Sequence, residues 1–189
     1  MEPIYAFVNS AVAVFLAEIG DKTMLSTALF AINTRKYTLV LLTSLLAFLT
    51  ANSICVVAGE VIRGYFDLKL IQVVAAALLI SAGFLIILSG ESASSGFNSK
   101  FNLLACFTTI LLMEMGDKTQ LVVFSLALIQ STPYLIISGG ILGYLATNTI
   151  GILLARATSS RLEWCFIRRV AGVLMIALGI LVAFNALLL

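Results

Sequence analysis

Two six-residue segments carry most of the chemistry available to this chain: Glu-Ile-Gly-Asp-Lys-Thr at 18–23 and Glu-Met-Gly-Asp-Lys-Thr at 114–119. Both lie inside long apolar runs. Even on a lenient insertion scale an ionised side chain in hydrocarbon costs about 2.5–3.5 kcal/mol, so six charges in two such places require partners, water or a bound ion. Carboxylates at i and i+3 share a helix face. Glu18 with Asp21, and Glu114 with Asp117, therefore form two acidic pairs. If the pairs meet, four carboxylates and the two lysines Lys22 and Lys118 sum to −2, and one divalent cation neutralises the set. Protons compete for carboxylates crowded in this way, which is the physical basis of metal/proton exchange. Lys22 and Lys118 also have a local option, pairing with Glu18 and Glu114 at i, i+4. Gly20 and Gly116 allow close backbone approach or local unwinding, and unwinding would expose carbonyl oxygens as further ligands.

Oxygen donors suit calcium, magnesium and manganese. The chain has no histidine, and its cysteines, Cys55, Cys106 and Cys165, form no metal-ligand spacing, which argues against zinc and copper. Thr23, Thr119, Asn52, Asn148 and Gln120 are candidate supporting groups, although such residues in apolar helices often only bond neighbouring helices. Met24 stands where the second half has Gln120. A thioether ligand there would favour manganese over calcium; a packing methionine would favour neither. The alternative for the whole constellation is an internally paired polar knot that holds helices together.

The elements that must position these residues are apolar helices. Of 189 residues, 61% are hydrophobic and 11% charged, under half the charge of a typical soluble domain; mean hydropathy is +1.14. Four stretches, 37–59, 70–90, 134–155 and 170–189, hold no charge and are long enough to cross a bilayer. Two more, 6–32 and 101–129, are apolar but interrupted by the charged segments. Each would be about 40 Å long as one helix, so each should tilt, break or project from the membrane. Glu60, Asp67, Glu91 and Glu163 sit near span ends and read as solvated.

The order is interrupted, clean, clean, and then the same again, at a constant offset of 96 residues. Besides the charged segments, Asn52 maps to Asn148, Gly83 to Gly179 and Ile80 to Ile176. The expected fold class is an all-α membrane protein of six transmembrane helices in two inverted three-helix repeats, at 1–90 and 101–189, joined by a cytosolic linker at 91–100. Three crossings per half is an odd number, so the second half enters from the opposite side, a plan that places a substrate near the midplane between repeats. Arg35, Lys36, Lys100, Arg156, Arg161, Arg168 and Arg169 fall on one side, and Arg63 and Lys69 on the other. The positive-inside rule puts the first side in the cytosol and both termini outside. Trp164 suits an interfacial anchor. The first apolar run lacks a basic segment before it and reads as a span rather than a cleavable signal.

A net charge of +2 is too small and scattered for a nucleic-acid surface. The expected partners are a divalent ion, protons and the lipid bilayer, with no cofactor; a homo-oligomer is left open. Two rival readings use the same residues. A cation channel could employ the acidic cluster as a selectivity site. An intramembrane aspartyl protease could employ Gly-Asp at Asp21 and Asp117, but Lys22 and Lys118 beside those aspartates would hinder a dyad that shares one proton. No phosphate-binding glycine motif of a primary pump occurs.

The doubled Glu-x-Gly-Asp-Lys-Thr motif, one copy in each three-span half, resembles the family of Golgi transmembrane protein 165, the Gdt family, over essentially the whole chain. The resemblance implies a secondary transporter, not an enzyme, that exchanges manganese and calcium for protons. Its acidic positions fall on Glu18, Asp21, Glu114 and Asp117, and its basic and hydroxyl positions on Lys22, Thr23, Lys118 and Thr119. Met24 departs from the glutamine that often follows the motif. The short chain is similar to prokaryotic members, which implies the inner membrane of a cell and export from the cytosol driven by the inward proton gradient.

Overall fold

The computed structural model describes residues 2–88, 103–157 and 164–188, which form eight α-helices: α1 (Glu2–Glu18), α2 (Lys22–Thr34), α3 (Tyr37–Arg63), α4 (Leu68–Leu88), α5 (Leu103–Glu114), α6 (Lys118–Ile129), α7 (Pro133–Ala157) and α8 (Trp164–Leu188). The linker at 91–100, Glu91, Lys100, Arg161 and Glu163, and the side chains of Trp164, Cys165 and Arg168, lie outside the described residues. Glu60 and Asp67 are exposed, as expected of span ends.

The chain is an all-α, multi-pass membrane protein. Among the described residues four helices are long and apolar enough to cross a bilayer: Tyr37–Arg63, Leu68–Leu88, Pro133–Arg156 and Arg169–Leu187. A fifth crossing is available to α1 and α2 together, a pair bent by 75°. The apolar run expected over 6–32 thus breaks rather than tilts. The run over 101–129 breaks at the equivalent place, into the shorter helices α5 and α6. At each break a glycine takes a left-handed conformation, φ 68° at Gly20 and 75° at Gly116, which costs little without a Cβ.

Burial runs opposite to that of a protein in water. Large apolar side chains such as Leu88, Leu112, Leu181 and Phe184 point outward, while Ser10, Glu18, Thr27, Ser44, Glu114 and Asn148 are wholly buried. Lipid-facing helices gain nothing from burying leucine against one another, so close backbone approach and polar bonds must hold them. Both are present. α4 packs most extensively on α8, and α1 on α7; α3 lies against α5 and α6. Between α4 and α8, Gly83 abuts Ile176 and Gly172, while Gly179 abuts Ile80 and Ala76. The two helices therefore run antiparallel. Along α7, Gly139 and Gly143 let α1 approach at Ser10 and Ala11, and the Ser10 hydroxyl donates to the Ile136 carbonyl at 2.6 Å. Arg156, near the end of α7, stacks over the Tyr37 ring at the start of α3, 4.7 Å from its centroid; one end of the bundle thus gathers Arg35, Lys36 and Arg156.

Candidate functional site

The two breaks place the charged residues at helix ends. Glu18 is the last residue of α1 and Glu114 the last of α5; Asp21 and Asp117 are the residues before α2 and α6. In each break the aspartate N–H donates to the carbonyl of its glutamate, Asp21 to Glu18 at 3.1 Å and Asp117 to Glu114 at 3.2 Å. Both aspartates occupy the N-cap position in extended conformation, yet neither side chain caps its helix. Each stays beside the positive end of a helix dipole with its carboxylate turned to another task.

That task is pairing across the two halves. Lys118 Nζ forms an ion pair with Asp21 Oδ1 and lies 3.8 Å from Asp117 Oδ2. Lys22 Nζ is 3.3 Å from Asp117 Oδ1. The local i, i+4 option of the lysines is not taken: a helical break separates each lysine from its own glutamate, and the opposite aspartate is nearer. The Thr119 hydroxyl also crosses between halves and donates to Glu18 Oε1 at 2.6 Å. Thr23 stands beside Glu114 in the equivalent place, but that bond is not closed. The Thr23 hydroxyl and both Glu114 oxygens are buried without a hydrogen-bond partner, as are Glu18 Oε2 and Asp21 Oδ2. Such orphaned oxygens are rare and costly in a native interior.

The two ends of this layer differ in access. Lys118 and Asp21 are closed in, at 5% and 6% side-chain exposure, whereas Lys22 and Asp117 stand at 39% and 13%. Among the described residues no three carboxylates or thiols are close enough to hold a metal ion between them. The Lys118 ammonium stands between Asp21 and Asp117.

The supporting candidates divide. Asn52 and Asn148 each donate to the carbonyl one turn earlier, Phe48 and Tyr144, at 3.0 Å, and each keeps a buried, unpartnered Oδ1. Gln120 braces the second break: its Oε1 accepts the Gly116 N–H at 2.7 Å and its Nε2 donates to the Ala51 carbonyl at 3.1 Å. Met24 does the same for the first break, its sulfur accepting the Gly20 N–H at 3.2 Å. The thioether is thereby engaged with backbone rather than turned to the carboxylates.

Tyr144 is the site residue that sequence reasoning missed. It is wholly buried and lies near Glu18, Glu114, Ser44 and Thr27. Its ring stacks on Phe48 with centroids 4.4 Å apart, and its hydroxyl has no closed hydrogen bond. The signal was available: Tyr144 and Phe48 are separated by the same 96 residues as the charged motifs, one turn before the paired asparagines.

An apolar multi-pass shell around an interior layer of carboxylates and lysines defines a membrane protein whose inner surface is made for ions. The chain belongs to the divalent cation/proton antiporter GDT1 family, whose model matches residues 6–94 and 102–188. It is a transporter that couples divalent-cation movement to proton movement, and not an enzyme. A relative in Vibrio cholerae serotype O1, described as a "Putative manganese exporter", is 28% identical over 177 residues, spanning 93% of this chain and 88% of the relative. No solved structure matches the chain.

Proposed function

We propose that the chain exports manganese from the cytosol in exchange for protons, with calcium as a second cargo, and that Glu18, Asp21, Glu114 and Asp117 bind the ion. The observation that carries this reading is the pair of fully buried glutamates with orphaned oxygens, beside two aspartates that Lys118 bridges between the halves. Carboxylate oxygens of this kind exchange a cation for protons without leaving a bare charge in the interior. Oxygen donors fit manganese and calcium alike. The preference for manganese and the outward direction draw on the name of the Vibrio relative, not on Met24. Thr119 and Thr23 position the glutamates, Asn52 and Asn148 offer their free carbonyl oxygens, and Gln120 and Met24 hold the breaks open.

The architecture we propose has six crossings, as two inverted three-helix repeats at 1–90 and 101–189 around a linker at 91–100. What supports it is the antiparallel packing of α4 on α8, two helices 96 residues apart in which Gly83 meets Ile176 as Gly179 meets Ile80. The pairing of α1 with α7 and of α5 with α3 has the same two-fold relation. With Arg35, Lys36 and Arg156 at one end, that end is cytosolic and both termini lie outside, in the inner membrane of a prokaryotic cell.

The test uses purified protein in liposomes with an imposed pH gradient. Manganese and calcium should accumulate against their own gradients with the unaltered chain, and Glu114→Gln should abolish this. A channel would only equilibrate the ions. If Glu114→Gln transports normally, the site assignment fails; if manganese stays put with the unaltered chain, the choice of cargo fails.

A further inference from the structure

Lys118 sits where a cargo ion would be expected. Its side chain is 5% exposed, and its ammonium touches Asp21, reaches toward Asp117, and lies within the layer that also holds Glu18 and Glu114. Its counterpart Lys22 is 39% exposed and holds Asp117 from the open side. The same motif residue is thus an inner bridge in one half and an outer contact in the other. A divalent ion that took oxygens from both Asp21 and Asp117 would stand about 4 Å or less from that ammonium, where charges of like sign repel strongly in a medium poorer than water. The two cations therefore exclude one another.

We propose that the Lys118 ammonium is a tethered competitor of the cargo: it occupies the aspartate pair when no divalent ion is bound, is displaced when one binds, and drives the ion off by returning. The inference rests on the reading of the four carboxylates as the cation site. It gives the motif lysine a role opposite in sign to that of a structural ion pair. A structural lysine helps shape the site, so its loss weakens metal binding. A competitor lowers apparent affinity by the fraction of time it leaves the site free. If the closed pair persists nine-tenths of the time or more, removing it tightens binding by about tenfold or more. It should also slow turnover, because the ion loses the group that expels it.

The experiment titrates manganese into the purified full-length chain in lipid nanodiscs by calorimetry, and measures transport by the same variants in liposomes. Lys118→Met should bind manganese at least about tenfold more tightly while its turnover falls. Lys118→Arg, which keeps a cation, should stay close to the unaltered affinity. Binding by Lys118→Met that is unchanged or weaker overturns the proposal. Glu114→Gln is run alongside: if it binds manganese as the unaltered chain does, the carboxylate reading itself fails, whatever Lys118→Met does. Removing one partner of a buried pair endangers folding, so a second measurement uses the unaltered chain. An amine-reactive label read by mass spectrometry should modify Lys118 at least about threefold faster with manganese present, since a displaced ammonium leaves its carboxylates. Equal or slower labelling with manganese overturns the proposal without any mutation.

Discussion

Glu18 and Glu114 occupy matching positions, but only Glu18 receives a hydrogen bond from the opposite threonine. The two halves are therefore not interchangeable at the level of single atoms. Removing one partner of a buried bond costs the desolvation of the group left behind, about 1–3 kcal/mol. Thr119→Val should lower stability by that amount, because Glu18 Oε1 loses its donor. Thr23→Val, whose hydroxyl makes no closed bond, should cost well under half as much. Chemical unfolding in a fixed detergent measures both. Tyr144→Phe argues the same point in reverse. Its hydroxyl is buried without a closed bond, and its ring stacks on Phe48. The variant keeps the ring and drops an unsatisfied polar group, so the melting temperature should stay level or rise. A fall of several degrees would mean that the hydroxyl has a partner of consequence.

At the scale of the helix, the two breaks are built alike. Each has a glycine with positive φ, an aspartate at the N-cap, and a side chain four residues on that accepts the glycine N–H. A Cβ at Gly116 would meet nothing within 4 Å, so Gly116→Ala tests conformation alone. The left-handed region costs a non-glycine residue about 1–2 kcal/mol, and the variant should lose that much stability. Transport should fall as well, because Asp117 follows directly and is aimed by this turn. Gln120→Ala removes both of these bonds and, at about 0.5–1.5 kcal/mol for each, should cost about 1–3 kcal/mol. Thermal unfolding followed by circular dichroism reads both variants.

At the scale of the molecule, α4 and α8 form the largest helix pair, on the flank of the polar layer. Gly83 and Gly179 play the same part there: an added Cβ would come within 2.6 Å of Ile176 Cγ1 and 2.7 Å of Ile80 Cγ1, respectively. Overpacking a close contact costs about 1–3 kcal/mol. Gly83→Leu and Gly179→Leu should therefore destabilise by similar amounts, measured as matched drops in melting temperature. Leu181→Ala, on the outward face of α8, should do little in lipid. Unequal effects of the two glycine variants would argue against a two-fold relation between the helices.

The sequence alone determined the features that short-range chemistry writes. Membrane residence followed from composition. The 96-residue repeat followed from matched positions, and the need of the two charged segments for partners from the cost of charge in hydrocarbon. Run lengths that exceed a bilayer called for a tilt, a break or a projection, and the structure has breaks. Partnership was decided only by the tertiary structure. That Lys118 reaches Asp21 and that Thr119 rather than Thr23 closes its bond depend on residues about 100 positions apart, and that Gln120 also reaches Ala51 and that Tyr144 enters the layer depend on contacts between helices distant in sequence. Their juxtaposition is set by how closely glycines let helices approach. Sequence periodicity reports which face of a helix a residue shares, but not which distant helix that face meets.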